Sequence, residues 1–248
     1  MKIIEYGKEN SEVIMLLHGG GLSWWNYRDE AELLQINYHV VLPVLDGHAD
    51  SDIPFTTIED NAKEIINYID ENFGGTILAI GGLSLGGQVL VEMLSQRSNI
   101  CKFAFIESAL VVPMKLTSSL IAPTFGISYG LIKKKWFSKI QFKSLKIQVK
   151  LFEDYYYDTC KIQKQDMISF LKSNSSYIMK PSLANTTANV TIFVGGKEQE
   201  VMRRSAEILH TKIPSSKLQV LNRYYHGELS LNHPKEYVDL LTGSFSVV

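Results

Sequence analysis

Cysteine is scarce: Cys101 and Cys160 are the only two in 248 residues, too few and too far apart for a disulfide framework or a zinc site. Two reduced thiols in a cytoplasmic protein, with no metal, are the simplest expectation. Long apolar runs are missing as well. The first, Val13 to Leu17, is shorter than the core of a signal peptide and stops at His18-Gly19. No stretch approaches the roughly 18 apolar residues of a membrane span, so the expectation is a soluble, unexported chain with no membrane span. An excess of charge is also lacking. The formal net charge of −1 gives no reason to expect nucleic acid as a partner. Internal repeats and low-complexity tracts are absent, and a hydrophobic fraction of 45% with 21% charged residues excludes disorder and fibrous folds.

What is present is an alternation. Short apolar runs, at Val13-Leu17, His39-Leu45, Thr76-Ile80, Phe103-Ile106, Val190-Val194 and Leu218-Leu221, are separated by longer segments of helical period. That is the pattern of an α/β fold, a mostly parallel central sheet flanked by helices. Ile58, Ala62, Ile65, Ile66, Ile69 and Phe73 share one helical face, and Gly74-Gly75 supplies the stop. Val89, Leu90, Met93 and Leu94 mark a second helix. Pro234 opens a last one, with Tyr237, Leu240, Leu241 and Phe245 on its apolar side. The length suits one domain. Its core is expected over residues 1–112 and 188–248, interrupted at 113–187 by a segment too long for an ordinary connection.

That insertion is expected to be mainly helical, and it concentrates charge. Between Pro113 and Phe152 lie eight lysines and no acidic residue, so the segment carries +8 and the remainder −9. Lys135, Lys139, Lys143, Lys146 and Lys150 recur every three or four residues, with Trp136, Ile140, Ile147 and Leu151 on a neighbouring face. The expectation is a solvated basic side of an amphipathic helix, in preference to a surface that attracts anions.

The strongest local signal is Gly82-Leu83-Ser84-Leu85-Gly86, which follows one apolar run and precedes a helix. A sharp turn in that context needs small neighbours and pushes the serine out above the sheet, the setting of an activated nucleophile. A hydroxyl also needs a base and donors for a developing oxyanion. His18-Gly19-Gly20-Gly21 leaves backbone N–H groups of Gly20 and Gly21 free to turn toward the serine, and the N–H of Leu85 would complete an oxyanion hole. Of the six histidines, His226 lies after the last expected strand, on a loop from which a base can reach Ser84. The acid behind it is less determined. Glu198 follows the strand Val190-Val194 and is the first choice, while Glu200, two residues on, and Glu107, at the end of the preceding strand, are rivals. Trp24 and Trp25 are candidates for an apolar substrate pocket.

These landmarks, His18-Gly19, then Gly47-His48-Ala49 with Ser51-Asp52, the elbow at Ser84, and the pair Glu198 and His226, resemble the α/β-hydrolase superfamily in its cap-bearing, esterase-like branch. The resemblance implies hydrolysis of a small-molecule acyl substrate through an acyl-enzyme, no cofactor, and a cap at the insertion. Two positions depart from the pattern: the acid is glutamate where aspartate is commoner, and Ala49 stands where glycine often closes the Gly-His-Gly turn. A slow-turnover receptor that keeps the triad is the alternative, as is thioester cleavage, carbon-carbon bond hydrolysis or acyl transfer on the same residues.

Overall fold

The structure, a computed structural model, describes residues 1–245. The final three residues of the range expected for the core lie outside it. In chain order the elements are β1 (Lys2–Tyr6), β2 (Val13–Leu17), a 3₁₀ turn at Trp24–Tyr27, α1 (Arg28–Leu34), β3 (His39–Val44), α2 (Ile58–Phe73), β4 (Ile77–Leu83), α3 (Leu85–Gln96) and β5 (Cys101–Glu107). The chain then runs through α4 (Lys115–Ile132), α5 (Lys135–Ser144), α6 (Phe152–Lys161) and α7 (Lys164–Ser176). It returns through β6 (Asn189–Gly195), α8 (Glu200–Lys212), β7 (Lys217–Leu221), α9 (Glu228–Asn232) and α10 (Pro234–Phe245).

The seven strands form one sheet in the order β1-β3-β2-β4-β5-β6-β7. Only β1 runs antiparallel, pairing Lys2 with Val44 and Tyr6 with Val40. All six expected strands are present. β1 is the addition; its side chains are partly exposed along the sheet's edge, so it lacks the continuous apolar run that marks the buried strands. Chain progression reverses between β2 and β4, which lie side by side with Leu17 opposite Gly82. In an open parallel sheet the crevice at the carboxyl ends of the strands flanking such a reversal is where ligands bind. His18-Gly19-Gly20 and Ser84 sit at those two ends.

Helices cover both faces. On α2, Ile58, Ala62, Ile65, Ile66 and Ile69 are buried as their spacing predicts. Thr57 caps the helix by accepting the Asp60 N–H at 3.0 Å, and Gly74 ends it in the left-handed region at φ 69°. The helix α3 is buried nearly all round because it is sandwiched between the sheet, α2 and the 3₁₀ turn at Pro181–Asn185.

The segment between β5 and β6 is helical but differs from expectation in its middle. One helical face through Lys135–Lys150 does not exist: α5 ends at Ser144, and Lys146 takes a left-handed backbone conformation at φ 58°. Trp136 and Ile140, expected to pack inward, are 60% and 61% exposed, while Ser138 and Phe142 face the interior. Polar contacts fasten this segment to the core. The Trp25 indole N–H donates to Asp158 at 2.7 Å, the Phe55 N–H to Asp166 at 3.0 Å, the Asn174 amide to Gln88 Oε1 at 2.7 Å and the Gln88 amide to the Asn174 carbonyl at 2.8 Å.

Candidate active site

Ser84 occupies the turn between β4 and α3 with φ 53° and ψ −110°, a backbone conformation that a residue with a Cβ adopts at a cost of about 1–3 kcal/mol. The turn is held in place by backbone bonds: the Ser84 N–H donates to the Glu107 carbonyl at 2.8 Å, and its carbonyl accepts the Gln88 N–H at 2.9 Å. It is also why the flanking residues are glycine. A Cβ on Gly82 would lie 2.4 Å from the Gly86 carbonyl oxygen, and one on Gly86 would lie 2.1 Å from that of Leu17. Both obstacles are backbone and cannot rotate away. Gly86→Ala is therefore expected to cost about 3 kcal/mol or more, read as a large fall in the urea midpoint. Gly87→Ala, where a Cβ would meet the Ala109 side chain and the Gly82 carbonyl oxygen at 3.1 Å, a tight contact but looser than the 2.1 Å at Gly86, should cost less. Equal midpoints for the two variants would show that the turn is not packed as described.

Three histidines border this end of the sheet, and their roles differ. His18 is fully buried, with Nδ1–H donating to the Gly19 carbonyl at 2.9 Å and Nε2 accepting the Leu45 N–H at 3.0 Å. His48, stacked on Phe170, donates from Nδ1 to the Asp46 carbonyl at 3.0 Å and accepts the Gly21 N–H on Nε2 at 3.0 Å. Burial holds His18 down to about 3 and His48 down to about 4, so both rings are neutral at physiological pH, in the tautomer their bonds require. They act as struts for the glycine loop. A consequence is that the Gly21 N–H, one of the expected oxyanion donors, already has an acceptor. The Gly20 N–H has none among the described residues, and the Leu85 N–H opens α3, where the helix itself offers no acceptor. A histidine in the Gly47-His48 turn gave no sequence signal for this role, because its partner lies 27 residues away.

The third histidine, His226, is 45% exposed in its side chain. Its Nδ1 lies 2.7 Å from Glu198 Oε2. The strand order explains the meeting: β6 and β7 are neighbours, and the loops leaving their carboxyl ends carry Glu198 and His226. The Glu198 side chain is buried, and its other oxygen accepts the Gly195 N–H at 2.6 Å and the Ser108 hydroxyl at 2.8 Å. Burial alone would push this carboxyl up, but the His226 hydrogen bond and charge, with the Gly195 and Ser108 donors, hold it below the usual glutamate range. Ser108, itself at φ 54°, was not anticipated; it is joined to Glu198 across 90 residues, and no local pattern announces it.

The two rival acids stand elsewhere. Glu200 is exposed at the first position of α8. Glu107 is buried, accepts a single long bond from the Ser230 N–H at 3.4 Å, and leaves Oε2 without a partner. Burial pushes it up to about 7. Neither Trp24 nor Trp25 has the character expected of a free pocket wall. Trp25 is buried and its indole is spent on Asp158, and Trp24 is half buried under the Arg28 guanidinium, 4.9 Å from its ring centre. No helix is long and apolar enough to cross a membrane, and no cluster of metal-ligating side chains occurs among the described residues.

Solved structures with the same architecture include an esterase from Thermogutta terrifontis (14% identity, TM-score 0.80, covering 99% of this chain and 92% of that one). An esterase from Exiguobacterium antarcticum gives 17% identity and a TM-score of 0.81 over 98% and 94% of the two chains. An enol-lactonase from Burkholderia xenovorans gives 12% identity and 0.82 over 99% and 96%. Such identities establish the fold alone. No curated protein matches the chain. The sequence profile of the alpha/beta hydrolase family matches residues 14–240, from the second strand to the last helix, and on that match the chain belongs to this family.

Proposed function

We propose that the chain is a serine hydrolase that cleaves an ester or related acyl bond of a small molecule, with Ser84 as nucleophile, His226 as base and Glu198 as the acid that orients it. The observation that carries this reading is the 2.7 Å contact between Glu198 Oε2 and His226 Nδ1, with the carboxylate buried and its other oxygen doubly bonded. That contact supports a tautomer with the proton on Nδ1 and with Nε2 as the nitrogen that would accept a proton from Ser84.

Ser84 Oγ attacks the acyl carbon as its proton passes to His226 Nε2, and the carbonyl electrons move onto oxygen. The N–H groups of Gly20 and Leu85 stabilise that oxyanion. When the tetrahedral intermediate collapses, the alcohol departs with the proton from His226, leaving Ser84 acylated. Water then attacks the acyl carbon, giving its proton to His226, which returns it to Ser84 as the acid is released. Glu198 stays ionised throughout and stabilises the transient imidazolium.

The test is covalent labelling with a fluorophosphonate, followed by an ester panel of increasing acyl length. The native protein is expected to be labelled and to turn over at least one ester. Folded Ser84→Ala is expected to do neither. Unchanged labelling of the variant would remove Ser84 from the mechanism, and labelling without turnover of any ester would reassign the site to a binding protein.

A further inference from the structure

Between the helical insertion and the loop that carries His226 lies a solvent-open cavity of about 710 Å³. Its floor is made of buried apolar side chains, Phe142 from α5, Ile147, and Phe152 from the start of α6. Val149, which also lines it, is 85% exposed, so an apolar residue is left standing at the mouth. Lys139, Lys143 and Lys146 line the same cavity and are exposed. Two of these ammonium groups are turned over aromatic rings at its edge: Lys139 Nζ is 5.8 Å from the centre of Phe152, and Lys146 Nζ is 5.4 Å from that of Tyr225.

The charges here are not balanced locally. Among the described residues, none of the three lysines forms an ion pair. Of the two carboxylates lining the cavity, Glu153 is paired with Lys135 at 2.8 Å, while Glu228 accepts the Tyr225 N–H at 2.7 Å and keeps its charge, so the lysines still outnumber it three to one. The shape is also fixed by the Asn232 side chain, which bonds to the backbone on both sides of Ile147. Lys146 holds its left-handed conformation while its carbonyl accepts from Asn232 Nδ2 at 2.7 Å, and Asn232 Oδ1 accepts the Gln148 N–H at 3.0 Å. A residue held in a strained backbone conformation beside an apolar cavity is a common mark of a ligand site.

We propose that this cavity binds a small amphiphilic anion, a carboxylate carried on an apolar chain, with the chain on Phe142, Ile147 and Phe152 and the carboxylate on the lysine ammoniums. The volume lies within the roughly 300–1,000 Å³ of small-molecule sites, which pair a mostly apolar lining with a few charged groups that set orientation. Three lysines that form no ion pair among the described residues, against the one remaining carboxylate of Glu228, leave a net positive lining that supplies the charge complementarity, and an ammonium gains a charge-assisted hydrogen bond on binding. The site does not depend on Ser84 and stands whether or not the hydrolase reading holds. Trp136 and Ile140, exposed one turn apart on α5, raise a lipid surface as the competing occupant. The burial of Phe142 and Phe152, at 5% and 8% exposed, favours a single molecule that enters the cavity over a bilayer surface that rests on exposed side chains.

Calorimetry with decanoate below its critical micelle concentration, on the full chain, tests this. Native protein should bind it with an affinity that weakens between about 0.05 and about 0.5 M salt. A Lys139→Gln, Lys143→Gln, Lys146→Gln variant should bind about tenfold more weakly or worse, while decanol binds both alike. A decanoate bearing a terminal diazirine should cross-link to the peptide spanning residues 142–153. Val149→Glu, at an exposed position where folding is not at stake, provides a second variant that should also weaken decanoate. Equal decanoate affinity in native and variant proteins, or cross-links confined to residues outside that peptide, would overturn the proposal. So would lysine-dependent sedimentation with phosphatidylglycerol vesicles in the absence of monomeric decanoate binding, which would make the surface a membrane contact.

Discussion

His226→Ala is expected to lower the kcat for any ester the native protein hydrolyses by on the order of 10⁴ to 10⁶. A serine hydroxyl is a poor nucleophile near neutral pH, and the imidazole removes its proton during attack and protonates the leaving alcohol afterwards. Both steps fail together when the ring is lost. The side chain is nearly half exposed and contributes its one strong contact to Glu198, so the variant should fold. The decisive measurement is single-turnover and steady-state hydrolysis of the best ester in the panel, for His226→Ala, Ser84→Ala and the double variant. Because the residues act as a unit, the double variant should be no slower than the worse single one. Residual activity about 10³–10⁴ above the uncatalysed rate should survive in each, supplied by the Gly20 and Leu85 N–H groups and by binding. A loss in His226→Ala of less than about a hundredfold would contradict the role of general base, since proton transfer by a positioned base contributes at least that much.

The parts of this molecule that were legible in its sequence are those where local backbone geometry dictates residue type. At Gly82-Leu83-Ser84-Leu85-Gly86, contacts of 2.1 and 2.4 Å between a hypothetical Cβ and backbone carbonyls leave glycine as the residue that fits. The apolar runs of β2 to β6 were readable because buried parallel strands need apolar residues on both faces. The contact between Glu198 and His226 was legible in a weaker sense. Strand order alone puts the loops after β6 and β7 side by side, but Glu107 ends the neighbouring strand and is almost as well placed along the chain. What separated them was solvation: Glu198 receives three donors and Glu107 one long contact, and no pattern of spacing encodes that difference.

Other features were hidden because they are set by tertiary meetings. Ser108 reaches Glu198 and His48 reaches Gly21 across folds of chain whose sequence carries no trace of the partner. Trp25 read as a pocket wall from its place beside the glycine loop, yet a buried indole N–H needs an acceptor, and Asp158 of the insertion provides it. The lysines of the insertion read as one solvated face of a helix. They are exposed as expected, but the break after Ser144 and the left-handed Lys146 interrupt the helix, and three of them border a cavity.

Glu198→Gln is expected to lower kcat by on the order of 10³ to 10⁴, with little change in stability, and Glu107→Gln to do the reverse. The amide in place of Glu198 no longer carries the charge that favours the imidazolium, and its NH₂ group competes to sit against Nδ1 and impose the wrong tautomer. Glu107 makes no hydrogen bond to His226, so its replacement should leave kcat within about tenfold of native. Its effect belongs to folding. Burial raises its folded pKa to about 7 from an unfolded value of 4.5, so the native state binds the extra proton between those values. The associated stability is fully present below pH 4.5 and is lost as pH rises through 7. At pH 8 the ionised, buried side chain then costs on the order of 3 kcal/mol. Glutamine carries no charge and removes that cost, and the Ser230 hydroxyl, buried without a partner, is available to its amide. His18 and His48 change stability in the opposite sense on the acid side, because their lowered values make the native state lose stability below pH 6.5, but they are common to both proteins and cancel in the comparison. Thermal unfolding at pH 5 and pH 8 should therefore show a Tm advantage for Glu107→Gln that grows with pH, alongside near-native turnover. If Glu107→Gln proves the more damaging to kcat while its Tm follows the native protein at both pH values, the orienting acid is the one at the end of β5, and the assignment to Glu198 fails.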